Sequence, residues 1–381
     1  MNEKVSNFLL DLSMKKIHFF LATLITLSLS AQENIKYQKP SKEILDLVEF
    51  ERPPSVQYDE GKNYMVFLYR DNYKTIETLS AKELRLGGLR IDPKTNIGSR
   101  TTYYNDVKIK NLKDKNAEVA QVKGLPENAK LSNLNWSPDQ TKIALTNTTK
   151  TGVELWLLNL KDGSVTKLTE PVLNANIGDV INWNADSQSM LVKMISENRK
   201  PLIDTNTIVP EGPTVSTNFG EKAQNRTYQD LLKNSSDEHN FEQLATSSIY
   251  KVSTSGQSEK WLDDAMYRGI SLSPDGNYVM VTKINKPFSY LVTYSRFPSI
   301  TDIYSKDGDF VANILNTPLI EELPKGFMST NKGKRSYSWR SDKASTLIYV
   351  EALDGGDPAN KVDHRDEVFE LEEPFNGEGR S

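Results

Sequence analysis

A short signature recurs along this chain, each time just ahead of an apolar strand: an aromatic or apolar residue, then a polar turn ending in Asp or Gly. It reads Trp136-Ser137-Pro138-Asp139 before Ile143-Ala144-Leu145, Trp183-Asn184-Ala185-Asp186 before Met190-Leu191-Val192, and Leu272-Ser273-Pro274-Asp275-Gly276 before Tyr278-Val279-Met280-Val281. Trp339-Arg340-Ser341-Asp342 before Leu347-Ile348-Tyr349-Val350 is a fourth copy, and Tyr58-Asp59-Glu60-Gly61 before Tyr64-Met65-Val66-Phe67 a weaker fifth. Each is a tight hairpin in chemical terms. Pro presets φ at the first turn position, Asp caps the turn through its side chain, and Gly supplies φ > 0.

A second hairpin follows in the same order. Leu155-Trp156-Leu157-Leu158 turns at Lys161-Asp162-Gly163-Ser164 into Val165-Thr166-Lys167-Leu168, Ile249-Tyr250-Lys251-Val252 turns at Ser255-Gly256 into Lys260-Trp261-Leu262, and Ile303-Tyr304 turns at Lys306-Asp307-Gly308 into Phe310-Val311. Asp-Gly between apolar strands is a strong hairpin signal. Two hairpins per repeat make a four-stranded unit, and such units bury both faces only against one another, as blades of a propeller. The expected fold class is therefore all-β, a β-propeller of four-stranded blades.

From Glu60 through Asp139, Asp186 and Asp275 to Asp342 the steps are 79, 47, 89 and 67 residues. A blade takes about 40–50 residues, so the long steps carry insertions or a degenerate blade. The count is five partial or complete blades, short of a seven-bladed ring. The expected divisions are an extension and signal peptide over 1–31, a lead-in over 32–55, and an incomplete propeller over 56–381. Residues 196–246 form an insertion rich in Asn, Ser, Thr and Glu, broken by Pro201, Pro210 and Pro213, with a short helix expected from Arg226 to Lys233.

Composition removes several function classes. The net charge is −4 and no Lys/Arg stripe interleaves with aromatics, so nucleic acid is not an expected partner. There is no cysteine, which excludes disulfides, thiolate zinc sites and a thiol nucleophile. The three histidines, His18, His239 and His364, are too few and too scattered for a histidine metal cluster.

From Met14 the chain reads Lys15-Lys16, an apolar run from Ile17 to Leu29, then Ser30 and Ala31 before Gln32-Glu33-Asn34. That is the secretory pattern, with translation expected to start at Met14 and cleavage after Ser30 or Ala31. The run is shorter than the ~20 residues of a membrane span, so no stable span is expected after cleavage. An uncleaved anchor is the competing reading. Either way the remainder is expected to work in the periplasm or outside the cell.

The Trp-Ser-Pro-Asp and Leu-Ser-Pro-Asp-Gly hairpins behind a signal peptide resemble the N-terminal propeller of the prolyl oligopeptidase family of serine peptidases. Two stretches are similar to the glutamyl endopeptidase subgroup. One is Pro210-Glu211-Gly212-Pro213 with Arg226-Thr227-Tyr228-Gln229-Asp230-Leu231-Leu232-Lys233-Asn234 and Asp237-Glu238. The other is Tyr349-Val350-Glu351-Ala352-Leu353-Asp354-Gly355-Gly356-Asp357-Pro358 with Arg365-Asp366 and Pro374-Phe375. The resemblance covers roughly residues 35–377 and implies a propeller ahead of an α/β-hydrolase domain with its Ser in a Gly-x-Ser-x-Gly elbow. No Gly-x-Ser-x-Gly occurs here, and the chain ends at Ser381, inside what should be the sixth blade or its approach. No catalytic, cofactor or metal residue is carried over. The implied role is a lid that limits a missing hydrolase domain to short or unfolded peptides; a stand-alone periplasmic binding propeller is the alternative.

Three further constellations have plainer readings. His364-Arg365-Asp366 copies a kinase catalytic tripeptide but has no nucleotide loop or strand lysine with it, and His364 has no recognisable nucleophile to serve. Asp354-Gly355-Gly356-Asp357 with Asp363 and Asp366 resembles a calcium cluster but lacks ligand spacing, which favours a Gly-Gly turn flanked by solvated acids. Glu43 to Phe50 suits a short amphipathic helix packing on the propeller.

Overall fold

The computed structural model describes residues 38–204, 206–207, 212 and 227–381. The leader from Lys15 to Ala31, Pro210-Glu211 and Pro213 lie outside the described residues. The chain divides into two units, Met1–Glu51 and Arg52–Ser381. In the first, the apolar run around Ile44 gives the helix α1 (Lys42–Val48), but none of its residues is buried and Leu47 is 78% exposed. Seven residues, about two turns of helix, gather too little apolar surface to form a core alone.

The second unit is a β-propeller. Strands β1 (Ser55–Tyr58), β2 (Tyr64–Tyr69), β3 (Leu84–Leu86), β4 (Leu89–Asp92), β5 (Ile97–Gly98), β6 (Asp106–Asn111) and β7 (Ala120–Gln121) come first. Of these, β1-β2-β6-β7 form the first blade and β3-β4-β5 a small separate sheet. The second blade is β8 (Leu131–Trp136), β9 (Lys142–Thr148), β10 (Val153–Asn159) and β11 (Ser164–Lys167). The third is β12 (Ile181–Trp183), β13 (Ser189–Ile195), β14 (Ser247–Ser253) and the first half of β15 (Ser258–Leu272). That 15-residue strand turns from one blade into the next. Ser258–Ala265 pairs with β14, and Met266–Leu272 pairs with β16 (Tyr278–Ile284). β17 (Ser299–Ser305) and β18 (Phe310–Thr317) complete the fourth blade; β19 (Lys334–Trp339), β20 (Leu347–Ala352) and β21 (Asp366–Leu371) form a three-stranded fifth. About five partial or complete blades were expected, and the described residues form five.

Each repeated signature is the turn between the first two strands of a blade, and in the two Ser-Pro-Asp copies its chemistry repeats atom for atom. The Ser137 hydroxyl donates to Asp139 Oδ1 at 2.6 Å and accepts from Lys142 N at 3.0 Å; Ser273 does the same with Asp275 and Tyr278, at the same two distances. The tryptophan has a role beyond the turn. Trp136 Nε1 donates to Gln57 Oε1, Trp183 Nε1 to the Asn135 carbonyl and Trp339 Nε1 to the Ser271 carbonyl, at 3.0–3.1 Å. In each case the acceptor lies on the first strand of the preceding blade, so the indole ties neighbours together. First strands of successive blades lie against one another, β8 on β12, β12 on β15 and β15 on β19, which makes them the inner strands.

Between blades the core is aliphatic: Val66, Leu68, Ile143, Leu145 and Leu158 are buried between the first two, and Leu155, Val192 and Met190 between the next. At about 25 cal/mol per Å² of apolar surface, this stacking is what stabilises sheets that have no other cover.

Candidate functional site

Alternating strand direction puts the connections of a blade at opposite ends. The first-to-second and third-to-fourth turns share one face of the propeller; the second-to-third connections share the other. On this second face the chain is long: residues 70–105 between β2 and β6, 196–246 between β13 and β14, 285–298 between β16 and β17, and 353–365 between β20 and β21.

Three of these connections fuse into a second core. From the first comes the β3-β4-β5 sheet, contributing Leu86 and Ile91, while the helix α2 (Ile76–Ser80) of the same connection buries none of its residues; from the second come Leu232 and the helix α3 (Ser235–Ala245), contributing Phe241, Leu244 and Ala245; from the third come Phe288, Val292 and Phe297. Phe241 is fully buried and meets Phe288 and Phe297 edge to face, with ring centroids 5.1 and 5.6 Å away. α3 begins at a side-chain cap. The Asn234 side chain accepts from Asp237 N at 2.9 Å, and Asp237 and Glu238 sit in the positive first turn. The helix expected at 226–233 is thus displaced. Residues 227–233 are not helical, because Asn234 caps the following segment and Asp230 adopts φ +59°, a left-handed value that no helix continues.

The tip of the β3–β4 hairpin is the junction. Gly87 and Gly88 have φ +59° and +91°, a two-residue turn of the kind glycine pairs favour. A Cβ on Gly88 would fall 2.7 Å from Thr293 Cγ2, so the close approach also needs glycine. Gly88 N donates to the Asp230 carbonyl and Tyr294 N to the Gly87 carbonyl, at 2.8 and 2.7 Å. Arg90 Nε pairs with Asp230 Oδ2 at 2.6 Å with both side chains largely buried, and Arg85 pairs with Glu83 at 2.9 Å. A hydrogen bond from the Ser99 hydroxyl, aided by Arg85 and Arg90 and opposed by desolvation, holds the Glu83 carboxyl below the usual range.

Beside this junction an open cleft of about 550 Å³ runs between the first and second connections, lined among others by Arg90, Arg100, Asn176, Tyr228 and Asp230. The sequence had singled out Thr227 to Asp230 for their resemblance, and the structure places them here. Arg90, Arg100 and Asn176 were missed. The Leu-Arg-Leu-Gly-Gly-Leu-Arg-Ile hairpin was a readable signal, but pairing of Arg90 with a residue 140 positions away was not.

The other candidate residues are placed apart. His364 is exposed, Arg365 binds Asp354 at 2.6 Å and the Met328 carbonyl at 3.0 Å, and Asp366 pairs with Arg335. His239 Nε2 meets the Pro201 carbonyl at 3.0 Å; His18 lies outside the described residues. Asp354 corrects the reading of solvated acids. It is 3% exposed, and although desolvation opposes ionisation, Arg365 and the Gly356 N–H hold its carboxyl below the usual range. Among the described residues, no group of three or more acidic or histidine side chains is arranged to hold a metal ion, and no helix is long and apolar enough to cross a membrane.

No family model matches the chain. It is 34% identical over 360 residues to a probable chloroplastic glutamyl endopeptidase of Oryza sativa subsp. japonica, and 31% identical over 359 residues to one of Arabidopsis thaliana. Each alignment covers 90% of this chain and 38% or 36% of the relative, so the chain spans little more than a third of the curated relatives it matches. Among solved structures, the β-propeller domain of the Trilobed protease from Pyrococcus furiosus is 12% identical with a TM-score of 0.39, over 86% of this chain and 71% of that one. Identity above 30% along nearly the whole chain, on blades that its own residues build, makes this propeller similar to the part of these glutamyl endopeptidases that it matches.

Proposed function

We propose that this chain is the N-terminal propeller of a secreted serine peptidase that hydrolyses peptide bonds, and that it screens peptides on their way to an α/β-hydrolase domain. One topological observation carries the reading. A blade of four alternating strands takes the chain in and sends it out on the same face, and that is the face bearing the three fused connections. A domain joined to the end of the last blade by a short linker would then lie over the cleft rather than over the tight turns. Two further blades would bring the five described here to the seven of the resemblance. For location, the apolar run after Lys15-Lys16 supports export.

The gene beyond the codon for Ser381 tests the first part. A frame that continues through Gly-x-Ser-x-Gly with a later Asp and His supports it; a stop codon there leaves a stand-alone binding propeller. The screening role is tested on the continued protein. It should cleave a peptide of about ten residues and spare the same sequence inside a folded protein, and equal rates on both would overturn it.

A further inference from the structure

The chain holds one Asn-Gly pair, Asn376-Gly377, and four Asp-Gly pairs at 162–163, 275–276, 307–308 and 354–355. All are open in principle to one reaction, in which the glycine nitrogen attacks the side-chain carbonyl before it and closes a cyclic imide. Glycine favours it, because no Cβ crowds the approach or restricts the backbone. The fold blocks the four Asp-Gly pairs. The nitrogens of Gly163, Gly276, Gly308 and Gly355 each donate to a backbone carbonyl, at 2.9–3.1 Å. Three of the carboxylates are held as well: Asp162 by Ser164, Asp275 by Ser273 and Asn277, and Asp354 by Gly356 and Arg365. Asn376-Gly377 has neither restraint. Gly377 N makes no such bond, and the exposed Asn376 side chain has no hydrogen-bond partner among the described residues. A Cβ built on Gly377 would meet nothing within 4 Å, so the ring has room to close.

The loop carrying the pair is short and tied at both ends. Phe375 is 2% exposed, with its ring 5.1 Å from Tyr278 and 5.8 Å from Trp339. On the other side, Gly379 N donates to the Tyr349 hydroxyl at 3.2 Å, and Arg380 exchanges both backbone bonds with Glu370 at 2.8 Å. Residues 376–378 alone span the two anchors. We infer that Asn376 is a site of spontaneous deamidation, and that the change loosens Arg380 from the edge of the fifth blade. Gly377 N, having given its proton to base, bonds to Asn376 Cγ; Nδ2 takes up a proton and leaves as ammonia. Water then opens the imide. Cleavage at Cγ leaves aspartate in the normal chain, whereas cleavage at the main-chain carbonyl leaves isoaspartate, whose backbone runs through Cβ and is longer by that carbon. The added length falls between two fixed points. Either product also adds a negative charge to a stretch that already holds Glu372, Glu373 and Glu378.

The test is to age the 381-residue chain at mildly alkaline pH, folded and in urea, and to follow every Asn-Gly and Asp-Gly pair by peptide mapping with mass spectrometry. In the folded chain the Asn376 peptide should shift in mass from amide to acid and split into aspartyl and isoaspartyl forms, while the four Asp-Gly peptides stay single. In urea those four should isomerise too. The folded rate at Asn376 should fall severalfold at mildly acidic pH, where less of the glycine nitrogen is deprotonated, and severalfold in Gly377→Ala, whose Cβ hinders the attack without touching the rest of the fold. Hydrogen exchange in the aged protein should be faster at the Glu370 and Arg380 amides and unchanged in β9 and β10. An Asn376 that converts in urea but persists in the folded chain would overturn the inference, as would Asp-Gly pairs that isomerise as fast folded as in urea. Conversion with unchanged exchange at Arg380 would overturn the loosening.

Discussion

The two faces of the propeller are built on different principles. On the turn face each hairpin is closed by residues two to five positions apart: Ser137 with Asp139 and Lys142, Ser273 with Asp275 and Tyr278. On the other face the stabilising partners come from different blades: Arg90 with Asp230, Gly88 with Asp230, Phe241 with Phe288 and Phe297. Local closure repeats because every blade needs it. Turns of neighbouring blades also touch, as Asp139 N does Ser187 Oγ and Ser345 Oγ does Asp275 Oδ2, but the fusion of three connections into one core lies on the face with the cleft. Repetition therefore marks scaffold in this molecule, and the core assembled from three connections adjoins the candidate cleft.

The strongest way to break that comparison is Phe241→Ala. The ring is fully buried at the centre of the second core, and truncating such a phenylalanine costs about 3–5 kcal/mol. Hydrogen exchange should show protection lost in α3 and in β3 and β4 while β9 and β10 keep theirs, as expected of separable cooperative units. Equal loss in β9 and β10 would mean that the two faces unfold together.

A smaller effect is expected from Asp230→Asn. Asn tolerates the left-handed backbone of Asp230 and leaves its carbonyl on Gly88, so only the charge opposite Arg90 is lost. With both side chains largely buried, the expected cost is about 1–3 kcal/mol, read as a lower urea midpoint. If the midpoint does not move, the junction is held by its backbone bonds and the Phe241 cluster alone.

What the sequence made legible follows the same division. The five hairpin signatures located the blades because every determinant, Pro, Asp and Gly at fixed offsets, acts within a few residues. The tryptophan in three of them was visible but its reason was not, since Trp183 acts on Asn135, 48 positions back in the chain. The helix was expected at 226–233 and formed at Ser235–Ala245, although Asn234 with Asp237 is a readable cap; the Pro-broken insertion offered no apolar period to anchor it. Asp354 read as solvated because its partner Arg365 lies across a loop. The cleft depends on residues from Gly88 to Thr293, and nothing local announces such a meeting.

The smallest expected effect belongs to the turn face. Partial burial opposes ionisation of Asp139, but the Ser137 hydroxyl, the Thr141 N–H and hydroxyl and the nearby Lys142 outweigh it and bring its carboxyl down to about 2. An unfolded Asp titrates near 3.9. Because the folded value is the lower one, the ionised turn contributes stability above about pH 4 and loses it as the pH falls through about 2. The Asp139 side chain is 40% exposed, so solvent screening trims the contribution to less than about 1 kcal/mol. Other carboxylates titrate in the same window, and the informative quantity is the difference from Asp139→Asn. The variant should be slightly less stable than the parent at pH 5, and the gap should close on acidification. A gap that stays constant with pH would show that the turn depends on the shape of the side chain rather than its charge, and would bring the turn-face carboxylate closer to the neutral backbone bonds of the opposite face.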